Sequence, residues 1–240
     1  MGVNDLELSF ESRLLAAPSR SDNASPGSWQ TCGKVLNRIA SQQHSLTQNQ
    51  KMTALQRPAG ALLLLVDLQK AIDHPSWGRR NNPLAEIQIA RLLDHWRSNG
   101  WPVWHIRHDS TEPGSHYRPG QSGHEFKSEA APVTGEPVIP KRTNNAFIGT
   151  NLEAQLRAQG HDTLVVVGVI TNNSVEATVR MAGNLGFTTY LLSDCCFTFD
   201  RRDWNGTLRS AEDVHAMSLA NLDPEYCTVI TAETLLDTDK

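Results

Sequence analysis

The chain has 240 residues, which is enough for one α/β domain with a buried core and an appendage. It carries 22 Lys and Arg residues against 26 Asp and Glu residues, a formal net charge of −4. This balance argues against a nucleic-acid partner, because such proteins usually gather a basic excess on one face. The longest purely apolar run, residues 61–66, is far shorter than the roughly 20 residues that cross a bilayer, so no membrane span is predicted.

The amino terminus and the cysteines favour a cytoplasmic protein. No basic segment followed by an apolar one marks a secretory signal, and early acidic residues count against a transit peptide. The four cysteines contain no CxxC pair, which fits neither a disulfide framework nor a zinc finger; they are Cys32, Cys195, Cys196 and Cys227. We therefore expect reduced thiols with a packing role.

Residues 1–57 differ in composition from the rest of the chain. They are rich in Ser, Gln and Asn, their apolar residues are scattered, and they show no strand pattern. We interpret them as an N-terminal extension that is partly disordered, with one candidate helix over residues 6–17. A single domain is predicted over residues 58–240.

Within that domain, short apolar runs alternate with helical segments. The runs predicted as strands are residues 61–66, 103–106, 138–139, 164–167, 189–192 and 227–230. Unbroken apolar runs indicate strands that are covered on both faces. The alternation predicts right-handed crossovers, and hence a three-layer α/β fold with a doubly wound, mostly parallel sheet of about six strands.

Two helices and one long loop are also predicted. The first helix has Asn82 as its cap and Pro83 at its first position, and it ends at Gly100. The second helix runs from about residue 174 to residue 185. The segment at residues 108–136 is rich in Gly, Pro, His and Ser and is too long for a plain connection, so it is a candidate active-site loop.

Three segments place reactive side chains at strand ends, where doubly wound sheets carry their chemistry. Asp67 directly follows the first strand, so desolvation would suit it to proton transfer, with turn capping as the alternative. Lys141 ends the third strand and would stabilise that carboxylate, although a surface lysine is commoner. Ser174 opens a helix after the fourth strand, where free N–H groups favour an oxyanion hole, with a helix cap as the alternative. No GxGxxG follows the first strand, so a dinucleotide cofactor is not expected.

These residues and their surroundings resemble the isochorismatase-like (cysteine hydrolase) superfamily over about residues 60–236. The matching motifs, in chain order, are VDLQ, KRTNNAFIGTNL, GVITNNSVEATVRMAGNLGF, SDCCFTF, AEDVHAMSLANL and YCTVITAETLL. The resemblance implies a Rossmann-like α/β fold, a small-molecule substrate and a homo-oligomer. No cofactor is expected.

The resemblance also implies a catalytic triad. Asp67 would be the general acid and base, Lys141 its electrostatic partner, and Ser174 would stand where the superfamily has its nucleophilic cysteine. A cis peptide would join Val169 to Ile170, and the backbone N–H groups of Ile170 and Ser174 would form the oxyanion hole.

A serine at the nucleophile position leaves three interpretations open. Cysteine titrates near a pKa of about 8.5, whereas a serine alcohol needs a strong, well-placed base. The chain could be a hydrolase that uses Asp67 as that base, a binding protein without turnover, or an engineered Cys-to-Ser variant of a cysteine hydrolase. We favour a hydrolase that acts on a C–N bond of a small amide or carbamoyl-type compound.

Five further residues are assigned to substrate binding: Gln69, Trp77, Arg107, Tyr117 and Phe147. Arg79, Arg80 and Arg118 are additional candidates for an anionic or planar substrate, although a solvated loop charge is the commoner role for any one of them.

Metal-ligating residue types occur together at one place in the sequence. These are His105, His108 and Asp109, but the His-rich stretch through which the superfamily's nicotinamidases bind metal is not found here. No metal site is therefore predicted.

Overall fold

The computed structural model describes residues 60–237. The interpretation of residues 1–57, including the helix over residues 6–17, and the predicted domain start at residue 58 lie outside the described residues. The strands are β1 (Leu62–Val66), β2 (Val103–His108), β3 (Val138–Lys141), β4 (Thr163–Val169), β5 (Thr188–Phe197), β6 (Arg201–Arg202), β7 (Leu208–Arg209) and β8 (Thr228–Ile230). The helices are α1 (Ala85–Ser98), α2 (Leu152–Ala158), α3 (Glu176–Asn184), α4 (Ala211–Ala220) and α5 (Ala232–Asp237). Short 3-10 turns lie at Lys70–Asp73, Pro75–Trp77, Ser122–His124 and Ser128–Ala130, and a π-helical turn at Thr171–Val175 leads into α3.

Six strands form one parallel sheet in the order β3-β2-β1-β4-β5-β8, which confirms the predicted doubly wound architecture. The chain moves outward from β1 to β2 and β3, and then returns to the other side of β1 with β4. The order therefore reverses between β1 and β4, and such a reversal opens a crevice at the carboxyl ends of the two strands. The small β6–β7 pair is antiparallel and separate from this sheet.

The central strand β1 shows why an unbroken apolar run predicts a covered sheet. Its side chains alternate between two cores, because successive residues of a strand point to opposite faces. Leu63 and Leu65 pack into the core that includes α1 and α5, whereas Leu62, Leu64 and Val66 pack into the core that includes α2 and α3. All five side chains are buried, so both faces of the sheet need apolar residues.

The predicted start of α1 is wrong. The helix begins at Ala85, and Asn82 does not cap it. Asn82 has a φ of +44°, and its side-chain Nδ2 donates hydrogen bonds to the carbonyl oxygens of Ser193 (2.8 Å) and Cys196 (2.6 Å). The side chain is therefore committed to β5. The predicted end is close, because α1 ends at Ser98 and Gly100 follows with a φ of +64°.

The cysteines of the described region are buried. Cys195 and Cys196 lie in β5 with no exposed surface, and Cys227 lies just before β8. Burial raises the pKa of the Cys195 and Cys196 thiols, which disfavours the reactive thiolate. These two cysteines are packing residues in the sheet. Cys32 lies outside the described residues.

Gly168 allows β4 to pass very close to β1 just before the strand ends. It has a φ of +127°, and a Cβ atom built on it would lie 2.2 Å from the carbonyl oxygen of Val66. A side chain is excluded there both by the backbone conformation and by the neighbouring strand. Gly168 thereby brings residues 169–175 against the end of β1.

We expect Gly168→Ala to lower the free energy of unfolding by about 2–4 kcal/mol, since strain and overlap with backbone act together. Urea denaturation measures this change. Gly160→Ala is a matched control, because Gly160 also has a positive φ (+74°) but no atom lies within 4 Å of its Cβ position. The control should cost only about 1–2 kcal/mol. Equal losses in both variants would contradict the close approach as the cause.

Candidate active site

Asp67, Lys141 and Ser174 meet at the crevice between β1 and β4. Asp67 follows β1, Lys141 is the last residue of β3, and Ser174 lies in the turn between β4 and α3. The Lys141 Nζ donates hydrogen bonds to Asp67 Oδ2 at 2.7 Å and to Ser174 Oγ at 3.3 Å. The lysine thus bridges the carboxylate and the alcohol.

The Lys141 ammonium is buried, and all of its hydrogen-bonding capacity is used by neighbouring groups. Its side chain has no exposed surface, and that of Asp67 is 5% exposed. In addition to Asp67 and Ser174, the Nζ contacts the Thr143 carbonyl oxygen at 3.0 Å and His108 Nδ1 at 3.3 Å. A buried ammonium of this kind requires a paired carboxylate, and removal of one partner of such a pair typically costs about 3–5 kcal/mol.

Asp67 is held in an unusual conformation that leaves one carboxylate oxygen available. Its φ is +53°, which is uncommon for a residue other than glycine, and its backbone N–H is anchored to the Ile106 carbonyl oxygen at 3.0 Å. The Oδ1 atom is buried and has no hydrogen-bond partner among residues 60–237. A buried acceptor without a partner is costly, so such an atom is a candidate for contact with a ligand or a transferred proton.

Ser174 lies in a tight turn that is built on a cis peptide. The cis bond joins Val169 to Ile170, at the position that the resemblance implies. The Ile170 carbonyl oxygen accepts hydrogen bonds from the N–H groups of Asn173 (3.0 Å) and Val175 (3.3 Å), which close the turn. Ser174 is 6% exposed, so its hydroxyl is held against Lys141 in a largely buried position.

The loop between β2 and β3 folds back over this position. The Lys70 N–H donates to the Glu125 carbonyl oxygen (2.8 Å), and the Lys127 N–H donates to the Leu68 carbonyl oxygen (3.0 Å). Residues 110–117 of this loop form one wall of a cavity of about 520 Å³ that Asp67 and Ser174 also line. Its lining comprises Asp67, Ser76, Trp77, His108, Ser110, Glu112, Gly114, Ser115, His116, Tyr117, Asn144, Val169, Ile170, Asn173 and Ser174.

Two of the five residues assigned to substrate binding line the cavity. Trp77 is held by a hydrogen bond from its Nε1 to the Ala71 carbonyl oxygen (2.9 Å). Tyr117 is 8% exposed and packs edge-to-face against His108. Burial and the charge of Asp67 raise the pKa of the Tyr117 phenol well above its ordinary value, so it is a neutral wall of the cavity.

Gln69 does not line the cavity, because its amide is used to join two segments. Its Oε1 accepts from the His108 N–H at 2.7 Å, and its Nε2 donates to the carbonyl oxygens of His108 (3.1 Å) and His124 (2.9 Å). The side chain has no exposed surface. In this structure the Gln69 amide ties the end of β1 to β2 and to the loop instead of facing the cavity.

Arg107 and Phe147 also lie outside the cavity lining. Arg107 forms a two-pronged ion pair with Asp109, with N–O distances of 2.8 and 3.1 Å. Phe147 packs against Phe187, with ring centroids 5.8 Å apart, in the core on the α2 and α3 side of the sheet. Neither side chain reaches the cavity, since each is committed to a partner elsewhere.

The other candidate arginines are similarly engaged. Arg79 pairs with Asp200 and Glu212, and Arg80 pairs with Glu86 at 2.7 Å. An Arg118 guanidinium nitrogen donates to the Pro113 carbonyl oxygen at 3.2 Å. None of the three lines the cavity.

The three candidate metal ligands near β2, His105, His108 and Asp109, do not form one site. His105 Nε2 contacts Glu136 at 2.8 Å, and Asp109 pairs with Arg107 and with His124. Within residues 60–237, no group of three His, Cys, Asp or Glu side chains is arranged to hold a metal ion.

Sequence reasoning missed several polar residues of the lining. His108 is the most informative, because it ends β2 and its Nδ1 reaches Lys141. The strand-end rule that selected Asp67 and Lys141 applies equally to His108, so the signal was present. Glu112 and His116 gave no such signal, since they lie within the irregular loop.

The parallel sheet and its strand-end crevice define this protein as a doubly wound α/β protein with polar groups at the switch point of the sheet. The model of the isochorismatase domain matches residues 61–234. The chain therefore belongs to the isochorismatase family, whose members are hydrolases.

Known relatives agree with this membership. The chain is 43% identical over 175 residues to the uncharacterized isochorismatase family protein YrdC of Bacillus subtilis, a match that covers 73% of this chain and 94% of the relative. A crystal structure of an isochorismatase-family protein from Chromobacterium violaceum is 62% identical, with a TM-score of 0.74 and coverage of 76% of this chain and 94% of that one.

More distant relatives include a protein named as a nicotinamidase and one named as an amidohydrolase. Nicotinamidase 3 of Arabidopsis thaliana is 27% identical over 188 residues, covering 73% of this chain and 86% of the relative. Maleamate amidohydrolase of Pseudomonas putida is 32% identical over 108 residues, covering 45% of this chain and 46% of the relative. No helix within residues 60–237 is long and apolar enough to cross a bilayer.

Proposed function

We propose that the protein hydrolyses a C–N bond of a small amide or carbamoyl-type compound, with Ser174 as nucleophile. The observation that carries this proposal is the position of Lys141 Nζ, 2.7 Å from Asp67 Oδ2 and 3.3 Å from Ser174 Oγ, where Asp67 and Ser174 line a cavity of about 520 Å³. A base, a cation and an alcohol are then within reach of one bound carbonyl group.

In the first step, Ser174 Oγ attacks the carbonyl carbon while its proton passes to the Asp67 carboxylate. The C–O bond forms, and the carbonyl π electrons move to the oxygen, which becomes an oxyanion. The Lys141 ammonium stabilises the negative charge that develops on Oγ during the attack, because it lies 3.3 Å from that atom in a site of low exposure. We assign the proton to Asp67 Oδ1, because that atom has no hydrogen-bond partner within residues 60–237 and the pair of Oδ2 with Lys141 can then remain.

The turn after β4 would stabilise the oxyanion. We assign this role to the backbone N–H groups of Ile170 and Ser174, which flank the tight turn beside the cavity. Backbone donors that are fixed before the reaction cost no reorganisation when the charge develops.

In the second step, the oxyanion collapses and the C–N bond breaks. Asp67 returns its proton to the leaving nitrogen, which departs as ammonia or an amine and leaves an acyl group on Ser174. Asp67 then takes a proton from water, the resulting hydroxide attacks the acyl carbon, and the ester bond to Oγ breaks as the serine recovers its proton. The names of two relatives, a nicotinamidase and a maleamate amidohydrolase, support a C–N bond as the target.

The direct test is a screen of small amides and ureas with ammonia release as the readout. Turnover that is lost in Ser174→Ala, together with a covalent adduct on Ser174 in mass spectrometry, would support the proposal. Saturable binding of the same compounds without ammonia release would contradict it and would favour a binding protein that keeps the pocket without turnover.

The contact between His108 and Lys141 predicts a pH dependence. Burial, and then the positive charge of Lys141, hold the pKa of His108 below its ordinary value, whereas Asp67 and Asp109 act in the opposite direction. The imidazole is therefore neutral at neutral pH. Protonation at lower pH places a second positive charge 3.3 Å from the Lys141 Nζ and weakens the bridge to Ser174.

We expect kcat/KM to be level near neutral pH and to fall several-fold only at a pH below the ordinary histidine value of about 6.5, because the pKa of His108 is lowered. His108→Asn keeps a polar side chain that does not titrate, so in this variant the fall of kcat/KM on acidification (the acid limb) should occur at a lower pH. An unchanged acid limb in His108→Asn would show that another group is responsible.

A further inference from the structure

We propose that the substrate is a small planar amide that is neutral or positively charged, and that Glu112 sets this charge preference. This inference rests on the proposed function and adds to it the class of substrate. The carrying observation is the set of charged side chains that line the cavity.

The cavity contains an excess of negative charge. Of the described residues that line it, those with a formal charge at neutral pH are Asp67 and Glu112, if histidine is counted as neutral, and none is Arg or Lys. The Asp67 charge is balanced by Lys141 directly beneath the cavity floor. Glu112 is left as the charge of the lining that no other lining residue balances.

None of the candidate arginines lines the cavity. Arg79, Arg80 and Arg107 each face carboxylates of the protein. Arg118 donates to the Pro113 carbonyl oxygen at 3.2 Å, and neither it nor Arg142 belongs to the lining. Recognition of an anionic group normally uses an arginine fork or a lysine in contact with it. An anionic substrate would instead meet Glu112 with no Arg or Lys in the lining to bind it.

Glu112 is placed at the rim by a structured turn. Its N–H donates to Ser110 Oγ at 3.2 Å, and its carbonyl oxygen accepts from the Ser115 N–H at 3.1 Å. The residue is exposed and also lines the cavity, whereas Asp67 in the same lining is buried. A substrate whose amide reaches Ser174 would thus present its distal group to Glu112.

The aromatic walls favour a flat molecule. Trp77 is held by its hydrogen bond to Ala71 and is stacked on Phe199, with centroids 5.5 Å apart and planes 22° apart. Tyr117 is held edge-to-face against His108 with centroids 5.6 Å apart. Rings that are already fixed lose little conformational entropy when a ligand binds against them. A planar substrate makes the largest apolar contact with such flat surfaces.

The test uses three benzamides that differ in one para substituent: benzamide (neutral), 4-(aminomethyl)benzamide (cationic) and 4-carboxybenzamide (anionic). Ammonia release at low ionic strength gives kcat/KM for each, and low salt is needed because an exposed charge is strongly screened. We expect the anionic compound to be at least about tenfold poorer than the other two. Glu112→Gln should lower the ratio of cationic to neutral kcat/KM by about 3-fold, and Glu112→Lys should improve the anionic compound.

Glu225→Gln is the matched control. Glu225 is exposed and lies just before β8, at the amino-terminal edge of the sheet, so its removal makes the same charge change away from the cavity. The three kcat/KM ratios should stay as in the parent protein. A change equal to that of Glu112→Gln would show that net charge, not the position of Glu112, determines the preference.

Failure of this inference is distinguishable from failure of the proposed function. Hydrolysis of the series with the anionic compound equal or best would overturn the inference while the hydrolase function stands. If none of the three is hydrolysed, the same ratios are read from dissociation constants by calorimetry. Equal or tighter binding of the anionic compound, or no binding of any member, would then overturn it.

Discussion

Replacement of Ser174 by cysteine should raise hydrolytic activity by about 10²-fold or more, mainly in kcat. The thiol would take the place of an alcohol that lies 3.3 Å from the Lys141 ammonium, next to the first turn of α3. A nearby cation and a helix N-terminus both favour the thiolate, so the nucleophile would be partly ionised near neutral pH without help from a base. The pocket is otherwise unchanged, and KM should therefore change little.

The measurement is kcat and KM of both forms on one substrate between pH 6 and pH 9, with Ser174→Ala as the inactive control. A thiol variant slower than the parent would mean that Asp67 is already a competent base for the alcohol. Equal, negligible rates in both forms would contradict a hydrolytic role for this position and would favour the binding protein.

Asp67→Asn should lower kcat by about 10²–10⁴-fold, because the amide can neither accept the proton of Ser174 nor return it to the leaving nitrogen. The substitution also leaves the buried Lys141 ammonium without its counter-charge. We expect a loss of about 3–5 kcal/mol in the free energy of unfolding. Activity must therefore be measured where the variant is shown by circular dichroism to be folded.

A double variant separates the two effects of Asp67→Asn. Asp67→Asn combined with Lys141→Met removes both buried charges, so it should recover much of the lost stability and none of the activity. Recovery of activity together with stability would show that the role of Asp67 is structural. A single variant that keeps full kcat would contradict the assignment of Asp67 as general base.

The location of the candidate site could be predicted because it depends on topology. Asp67, Lys141 and Ser174 each follow an apolar run, and parallel strands bring their carboxyl ends to one edge of a sheet. The motifs around these residues pointed to the same positions. Their convergence at Lys141 Nζ therefore required only that the strands be identified and that the sheet be parallel.

The fate of individual polar side chains could not be predicted in the same way. Gln69 lies two residues after Asp67 in the VDLQ motif, yet its amide is saturated by backbone groups of His108 and His124, 39 and 55 residues away. Arg107 and Phe147 were likewise engaged by Asp109 and Phe187. A polar or aromatic side chain takes whichever partner the folded chain brings near, and local sequence does not encode that choice.

The sequence by itself determined the layered architecture and the edge of the sheet at which the reactive residues lie. The reason is that the local pattern of apolar residues reflects which faces of a strand are buried. The unbroken apolar run of β1, for example, supplies side chains to both cores. Only the tertiary structure decided which loop residues reach the cavity, and therefore which charges line the cavity. Glu112 and His108 come to the pocket through the path of residues 108–136 across the end of β1, a path set by long-range hydrogen bonds such as that of Lys127 to Leu68.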